Sequence, residues 1–237
     1  MDTADPRKHL VCAIDTTCTE RASSLVSRLE GHVGAFKFGM EFFYAHGVAG
    51  VRSVAGEENR IFLDLKLNDI PATVAGGLRA LLPLAPFMTT VHATGGPDMM
   101  RAAMEAVAPA GDARPKVLAV TVLTSMDNDD VEVTGGRGSV RDQVLRLTEL
   151  AIDTGVDGVV CSPREIAEVR RLCGPGFLVV TPGIRPGGHD CDDQKRTMSP
   201  GDAVTAGASF IVVGRPITRA PDPAVAAARI VADMSRP

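Results

Sequence analysis

Ile61-Phe62-Leu63-Asp64-Leu65-Lys66-Leu67-Asn68-Asp69-Ile70-Pro71 runs from an unbroken apolar stretch into three charged side chains. Side chains alternate faces along a strand, so Asp64 and Lys66 share one face while Leu63 and Leu65 take the other. Asp69 follows just past the strand end, where Pro71, which lacks a ladder donor, opens a helix. If Asp69 folds back, Lys66 sits between two carboxylates. Taken alone, D-x-K-x-x-D fits a strand-end ion-pair cluster as well as a reactive site.

Outward from this stretch, short apolar runs recur at 10–14, 35–38, 61–65, 87–92, 117–123, 158–161, 177–181 and 209–213. Each is nearly continuously apolar, the pattern of parallel strands covered on both faces. Helical segments lie between them. Ser162-Pro163-Arg164-Glu165 supplies a cap, a Pro at the first helical position and a Glu three residues after the cap, with Gly174 placed to stop the helix. Ser199-Pro200 and Asp222-Pro223 repeat the cap-then-Pro start. Eight such units predict an α/β fold, a single (β/α)8 TIM barrel domain over 1–237, with a doubly wound open sheet as the alternative. No G-x-G-x-x-G follows the first strand, which weakens the dinucleotide-binding form of that sheet. Two long loops stand out, 124–139 and 184–198, the second rich in Gly, Asp and basic residues and a candidate lid.

With 237 residues, 45% hydrophobic and 23% charged, the chain can bury a sizeable core. A net charge of -4 and dispersed basic residues argue against nucleic acid as the main partner. Cys12, Cys18, Cys161, Cys173 and Cys191 contain no C-x-x-C pair, so neither a zinc knuckle nor a disulfide framework is indicated. A cytoplasmic location with reduced thiols fits best. The polar start of the chain has no apolar signal segment behind it, and no later run approaches membrane-spanning length.

In a barrel, chemistry gathers at the C-terminal strand ends. Asp15 ends the first run and reads either as a helix cap or as a ligand contact. Lys37 lies inside the second, where a buried ammonium needs a counter-charge, and Asp64 on the neighbouring strand is the candidate. The cluster then reads as an alternating chain, Lys37, Asp64, Lys66, Asp69. His92 ends the fourth run, either as a base or, the favoured reading, as a packed core residue. Thr124 and Ser125 offer hydroxyls beyond the fifth, although Thr also occurs in strands for its β-propensity. Gly214-Arg215 follows the eighth: the Gly admits a close anion and the Arg offers a planar donor fork, with structural ion pairing the alternative.

The longer run Phe62-Leu63-Asp64-Leu65-Lys66-Leu67-Asn68-Asp69-Ile70-Pro71-Ala72-Thr73 resembles the signature of the orotidine 5′-phosphate decarboxylase family. The likeness continues collinearly through Val91-His92-Ala93, Thr121-Val122-Leu123-Thr124-Ser125, Thr181-Pro182-Gly183-Ile184-Arg185, Gln194-Lys195-Arg196 and Ile211-Val212-Val213-Gly214-Arg215-Pro216-Ile217-Thr218. Two departures are visible. Ala72 stands where the family has Asn, and 84–87 lacks an Asp often found before the fourth strand.

The resemblance implies decarboxylation of orotidine 5′-phosphate to uridine 5′-phosphate, without metal or organic cofactor, in pyrimidine nucleotide synthesis. It implies Lys66 as proton donor, with Asp64, Asp69 and Lys37 completing the catalytic charges. It further implies ribose contacts from Asp15 and Lys37, pyrimidine contacts from Thr124 and Ser125, phosphate contacts from Arg185, Gln194, Gly214 and Arg215, and substrate contacts from Ile70 and Thr73. It also implies a homodimer in which Asp69 enters the partner's pocket. The rivals are a keto-sugar-phosphate decarboxylase or magnesium-dependent hexulose-phosphate synthase of the same suprafamily, and a non-catalytic phosphoribosyl-binding barrel.

Overall fold

All eight apolar runs become strands in the computed structural model, which describes residues 5–187 and 197–235. They are β1 (Leu10–Ile14), β2 (Ala35–Gly39), β3 (Ile61–Leu67), β4 (Met88–His92), β5 (Lys116–Val120), β6 (Gly158–Val160), β7 (Leu178–Thr181) and β8 (Phe210–Val213). Each pairs in parallel with the next, and β8 returns to β1 with Val212 opposite Val11, closing the barrel. The helices are α1 (Thr19–Leu29), α2 (Met40–Ala55), α3 (Pro71–Leu81), α4 (Pro97–Val107), α5 (Asn128–Val133), α6 (Val140–Asp153), α7 (Ile166–Leu172), α8 (Pro200–Thr205), α9 (Arg215–Thr218) and α10 (Pro223–Met234). The open doubly wound sheet is thereby excluded.

The apolar runs read as continuous because both faces of every strand are buried, against different cores. Outward residues such as Cys12, Ile14, Phe36, Phe38, Leu63 and Leu65 pack under the helices. Inward residues such as Val11, Ala35, Phe62, Met88, Leu118 and Phe210 fill the barrel. Each fully buried aliphatic or aromatic side chain contributes about 1.5–3 kcal/mol through removal from water.

The helix starts are those the caps announce. Pro71 is the first residue of α3, Ser199 accepts the Asp202 amide at the head of α8, and Asp222 accepts the Ala224 and Val225 amides at the head of α10. Ser162 differs in detail: it caps a 3-10 turn over Pro163–Glu165, and α7 begins only at Ile166. The Glu165 side chain is buried instead of completing a capping box.

Most strand boundaries fall within one residue of the apolar runs, while β3 continues two residues further, to Leu67. β5 ends at Val120, three residues early, because the chain turns there to line the cavity described below. The loop 124–139 carries its own helix, α5, opened by a reciprocal cap between Asp127 and Asp130, so these two Asp residues serve helix geometry. The loop 184–198 is pinned at its base by a bridge between Ile184 and Met198. Its centre, including Gln194, lies outside the described residues.

Candidate active site

At the C-terminal rim, the inward side chains of the last strand turn divide into two halves. Lys37, Asp64 and Thr90 project from β2, β3 and β4. Val120, Val160, Val180 and Val212 face them from β5 to β8. The cavity above them holds about 240 Å³. One wall is charged and the other is hydrocarbon.

The charged wall is ordered by register. Gly39 of β2 lies opposite Asp64 of β3, and a Cβ at Gly39 would come within 3.1 Å of Lys37 Nζ. A glycine there leaves the ammonium its space. Lys37 Nζ stands 3.3 Å from Asp15 Oδ1 and 3.6 Å from Asp64 Oδ2. Asp64 in turn accepts from Lys66 Nζ at 2.8 Å through both oxygens. The chain of alternating charges is therefore Asp15, Lys37, Asp64, Lys66. Asp15 pairs with an ammonium, and no helix-capping hydrogen bond is made by it among the described residues.

Electrostatics follow from this packing. Burial works against the Lys37 ammonium, yet the carboxylates of Asp64 and Asp15 outweigh it and raise its pKa. Burial likewise works against the Asp64 carboxylate, but Lys37 and Lys66, with hydrogen bonds from Lys66 and Thr90, hold its pKa below the usual carboxylate value. His92 is lowered by burial and by the Lys66 cation, with Asp64 opposing, which keeps the imidazole neutral near pH 7. Its side chain makes no hydrogen bond among the described residues and lines a second, neighbouring cavity, so the ring is neither hydrogen-bonded in the core nor part of the first cavity's lining. Cys161 also lines the cavity, but burial pushes its thiol up to about 12, which removes it as a nucleophile at neutral pH.

β3 is not a regular strand where its charges sit. Its pairing with β4 shifts between Leu63 and Leu67, and Lys66 adopts φ 51°, a left-handed conformation that costs a residue with a Cβ about 1–3 kcal/mol. Simple alternation therefore put Asp64 and Lys66 on the correct shared face without foreseeing the bulge that aims the lysine. Thr90, which the sequence did not single out, accepts the Lys66 amide at 2.9 Å and donates to Asp64 Oδ1 at 3.1 Å. The available signal was a pair of hydroxyls, Thr89-Thr90, in an otherwise apolar strand.

Asp69 is the correction within the chain. It does not fold back onto Lys66; it is exposed, its Oδ1 accepts the Ile70 amide at 2.6 Å, and no ion pair to it is formed among the described residues. The turn into Pro71 carries the chain over the rim before the carboxylate can reach inward. Ile70 and Thr73 follow it to the exposed surface, outside the cavity lining.

The other expected contacts divide similarly. Thr124, Arg185, Gly214 and Arg215 line the cavity, and Ser125 is exposed outside it. Gly183, at φ 81°, turns β7 toward Arg185, whose amide donates to Met198 O at the base of the long loop. Arg185 and Arg215 thus come from the ends of β7 and β8, where barrels commonly bind phosphate. Among the described residues no three His, Cys, Asp or Glu side chains converge in a metal-binding group.

The chain as a whole is similar to known proteins. The family model described as "Orotidine 5'-phosphate decarboxylase / HUMPS family" matches residues 8–230. A protein of Paramagnetospirillum magneticum named orotidine 5′-phosphate decarboxylase is 50% identical over 94% of this chain and 96% of its own length. One of the same name from Gluconobacter oxydans is 50% identical over 97% of this chain and 98% of its own. A crystal structure of orotidine 5′-phosphate decarboxylase from Lactobacillus acidophilus superimposes with a TM-score of 0.85 at 39% identity, covering 96% of this chain and 99% of that one. The agreement runs from the first strand through the last, so the chain belongs to the orotidine 5′-phosphate decarboxylase / HUMPS family.

Proposed function

We propose that the chain decarboxylates orotidine 5′-phosphate to uridine 5′-phosphate and CO2, with Lys66 as the proton donor. The observation that carries the reading is the Asp15-Lys37-Asp64-Lys66 network facing a wall of valines. When the bond from C6 to the carboxylate breaks, its electron pair stays on C6 in an orbital the ring cannot delocalise. A fixed ammonium beside that carbon stabilises the charge, and does so more strongly where hydrocarbon excludes water. The Lys66 ammonium then gives its proton to C6 and is left as a neutral amine. Asp64 aims the Lys66 ammonium beforehand through both of its oxygens, while Lys37 keeps Asp64 ionised.

Substrate binding rests on Asp15 and Lys37 at the ribose, Thr124 and Ser125 at the pyrimidine, and Arg185, Gly214 and Arg215 at the phosphate, with Gln194 closing over both ends. The remote phosphate contacts supply binding energy for orientation at C6. Asp69, Ile70 and Thr73 serve the neighbouring site of a homodimer; their exposure in one chain agrees with that role. The chain is read as one barrel domain over 1–237, located in the cytoplasm. Among the described residues four cysteines are free, and no helix is long and apolar enough to cross a membrane.

Loss of orotidine 5′-phosphate absorbance on addition of the protein is the direct test. Chelation separates this reading from the synthase branch. Turnover is expected to survive exhaustive chelator treatment unchanged, whereas activity that appears only with magnesium, on a keto-sugar phosphate, would reassign the site.

A further inference from the structure

We propose that Thr90 is a positioning residue for proton transfer by Lys66, its single hydroxyl holding the bulged backbone of Lys66 and the carboxylate of Asp64 in one geometry. The proposal rests on the reading of Lys66 as proton donor.

The bulge creates the need. Between the pairings Leu63 with Thr89 and Leu67 with Val91, β3 carries Asp64, Leu65 and Lys66, while β4 carries Thr90 alone. The surplus residues cannot all find main-chain partners on β4. The Thr90 side chain replaces the missing acceptor, taking the Lys66 N–H at 2.9 Å. Its own proton goes to Asp64 Oδ1 at 3.1 Å, and both Asp64 oxygens accept from Lys66 Nζ at 2.8 Å. A closed ring results: Lys66 amide to Thr90 hydroxyl, hydroxyl to Asp64, carboxylate back to the Lys66 ammonium. A hydroxyl that accepts once and donates once has its proton direction settled by a carboxylate, which cannot donate.

Position separates this role from substrate contact and from ordinary strand packing. Thr90 is wholly buried and does not line the cavity, so it acts through Lys66 and Asp64. Its neighbour Thr89 is equally buried on the opposite face, and the Thr89 hydroxyl has no hydrogen-bond partner among the described residues. Lys66 and Ala85 are the non-glycine residues at positive φ among those described, and only Lys66 belongs to the cavity. The backbone that most needs holding is the one the Thr90 hydroxyl reaches.

The test uses Thr90→Val, which keeps shape and removes the hydroxyl, with Thr90→Ser and Thr89→Val beside it. Thr90→Val is expected to lower kcat about ten- to a hundredfold, the scale of a lost hydrogen bond to charged groups, with KM changed by less than about threefold. The acid limb of its kcat–pH profile should move to higher pH, because Asp64 loses a bond that favours its ionised form. The other groups facing Asp64 remain in place: Lys37 with Asp15 behind it, Lys66 on its own strand, and His92 at the end of β4. Thr90→Ser should restore both kcat and the limb, and Thr89→Val should match the parent.

Parent-like turnover in Thr90→Val, a loss confined to KM, or failure of Thr90→Ser to rescue would overturn the proposal. If Thr90→Val does not fold, Thr90→Ala carries the same expectations. Failure of both to fold while Thr89→Val folds would make Thr90 a folding residue and reject the role claimed. Lys66→Ala is run in parallel: activity retained there sinks the donor reading itself, whereas an inactive Lys66→Ala beside a fully active Thr90→Val rejects only the positioning role.

Discussion

Lys37 illustrates how a single residue's surroundings decide its chemistry. Its side chain is only 12% exposed, and it keeps its charge because Asp15 and Asp64 lie within ion-pair distance. The pH dependence of stability follows from the two shifts. Lys37 is raised, so its contribution is complete below its unfolded value of about 10.4 and is lost as pH rises through the higher folded value. Asp64 is lowered, so its contribution is complete above its unfolded value of about 3.9 and is lost as pH falls through the lower folded value. Thermal melting of the parent should therefore show a network contribution that is flat across neutral pH. Compared with a Lys37→Met, Asp64→Leu double variant, the parent's extra loss should appear below about pH 4 and above about pH 10. A difference that instead varied between pH 6 and 8 would place the ionisation elsewhere. Arg215 permits a second test at this scale. If it holds the phosphate, Arg215→Ala should reduce kcat/KM by about 1.5–3 kcal/mol, read from initial rates, with a smaller effect on a substrate lacking phosphate.

At the scale of elements, the two ends of the barrel do different work. The charged bulge of β3 is at the C-terminal rim. At the opposite end, Asp157, just before β6, accepts Arg114 Nη1 and Nη2 at 2.6 and 2.8 Å and the Val117 amide at 2.9 Å, with Lys116 Nζ at 3.4 Å. This cluster joins the entry of β5 to that of β6. The carboxylate lies below its ordinary pKa: burial opposes ionisation, but the hydrogen bonds from Arg114 and the Val117 amide outweigh it. Asp157→Ala is expected to lower unfolding stability by about 2 kcal/mol, measured by denaturant titration, because Arg114 and an amide lose a charged acceptor. kcat should not change, since this face lies away from the cavity. Equal losses of stability and kcat would mean that the two ends of the barrel are coupled.

For the whole molecule, the proposed homodimer can be tested at exposed residues. Ile70 is 67% exposed and Tyr44 72%, and Asp69, beside Ile70, has no ion pair within its own chain among the described residues. A two-fold dimer would place Asp69 from one chain beside Lys66 of the other. Mixing Lys66→Ala with Asp69→Ala protein under subunit exchange makes about half the dimers mixed, and each of these has one intact site of two. Activity should rise from near zero toward roughly a quarter of the parent level. A mixture that stays inactive after confirmed exchange would falsify the shared site and leave the decarboxylase reading standing.

Linear order determined the eight-unit parallel α/β architecture and most of the candidate site residues. Eight apolar runs separated by capped helices call for a parallel sheet covered on both faces, and Lys37 and Asp64 stood out because they interrupt those runs with charge; closure into a barrel was settled by the pairing of β8 with β1. Their pairing was legible because a buried ammonium requires a nearby carboxylate. Tertiary structure alone decided the rest. Strand pairing, which depends on residues far apart in the chain, produced the bulge that turns Lys66 to φ 51°, brought Thr90 onto it, and set a valine wall opposite. The path of the chain over the rim kept Asp69 from the site its spacing suggested, because a turn into a helix is directed by packing against the barrel and a three-residue interval does not encode that direction.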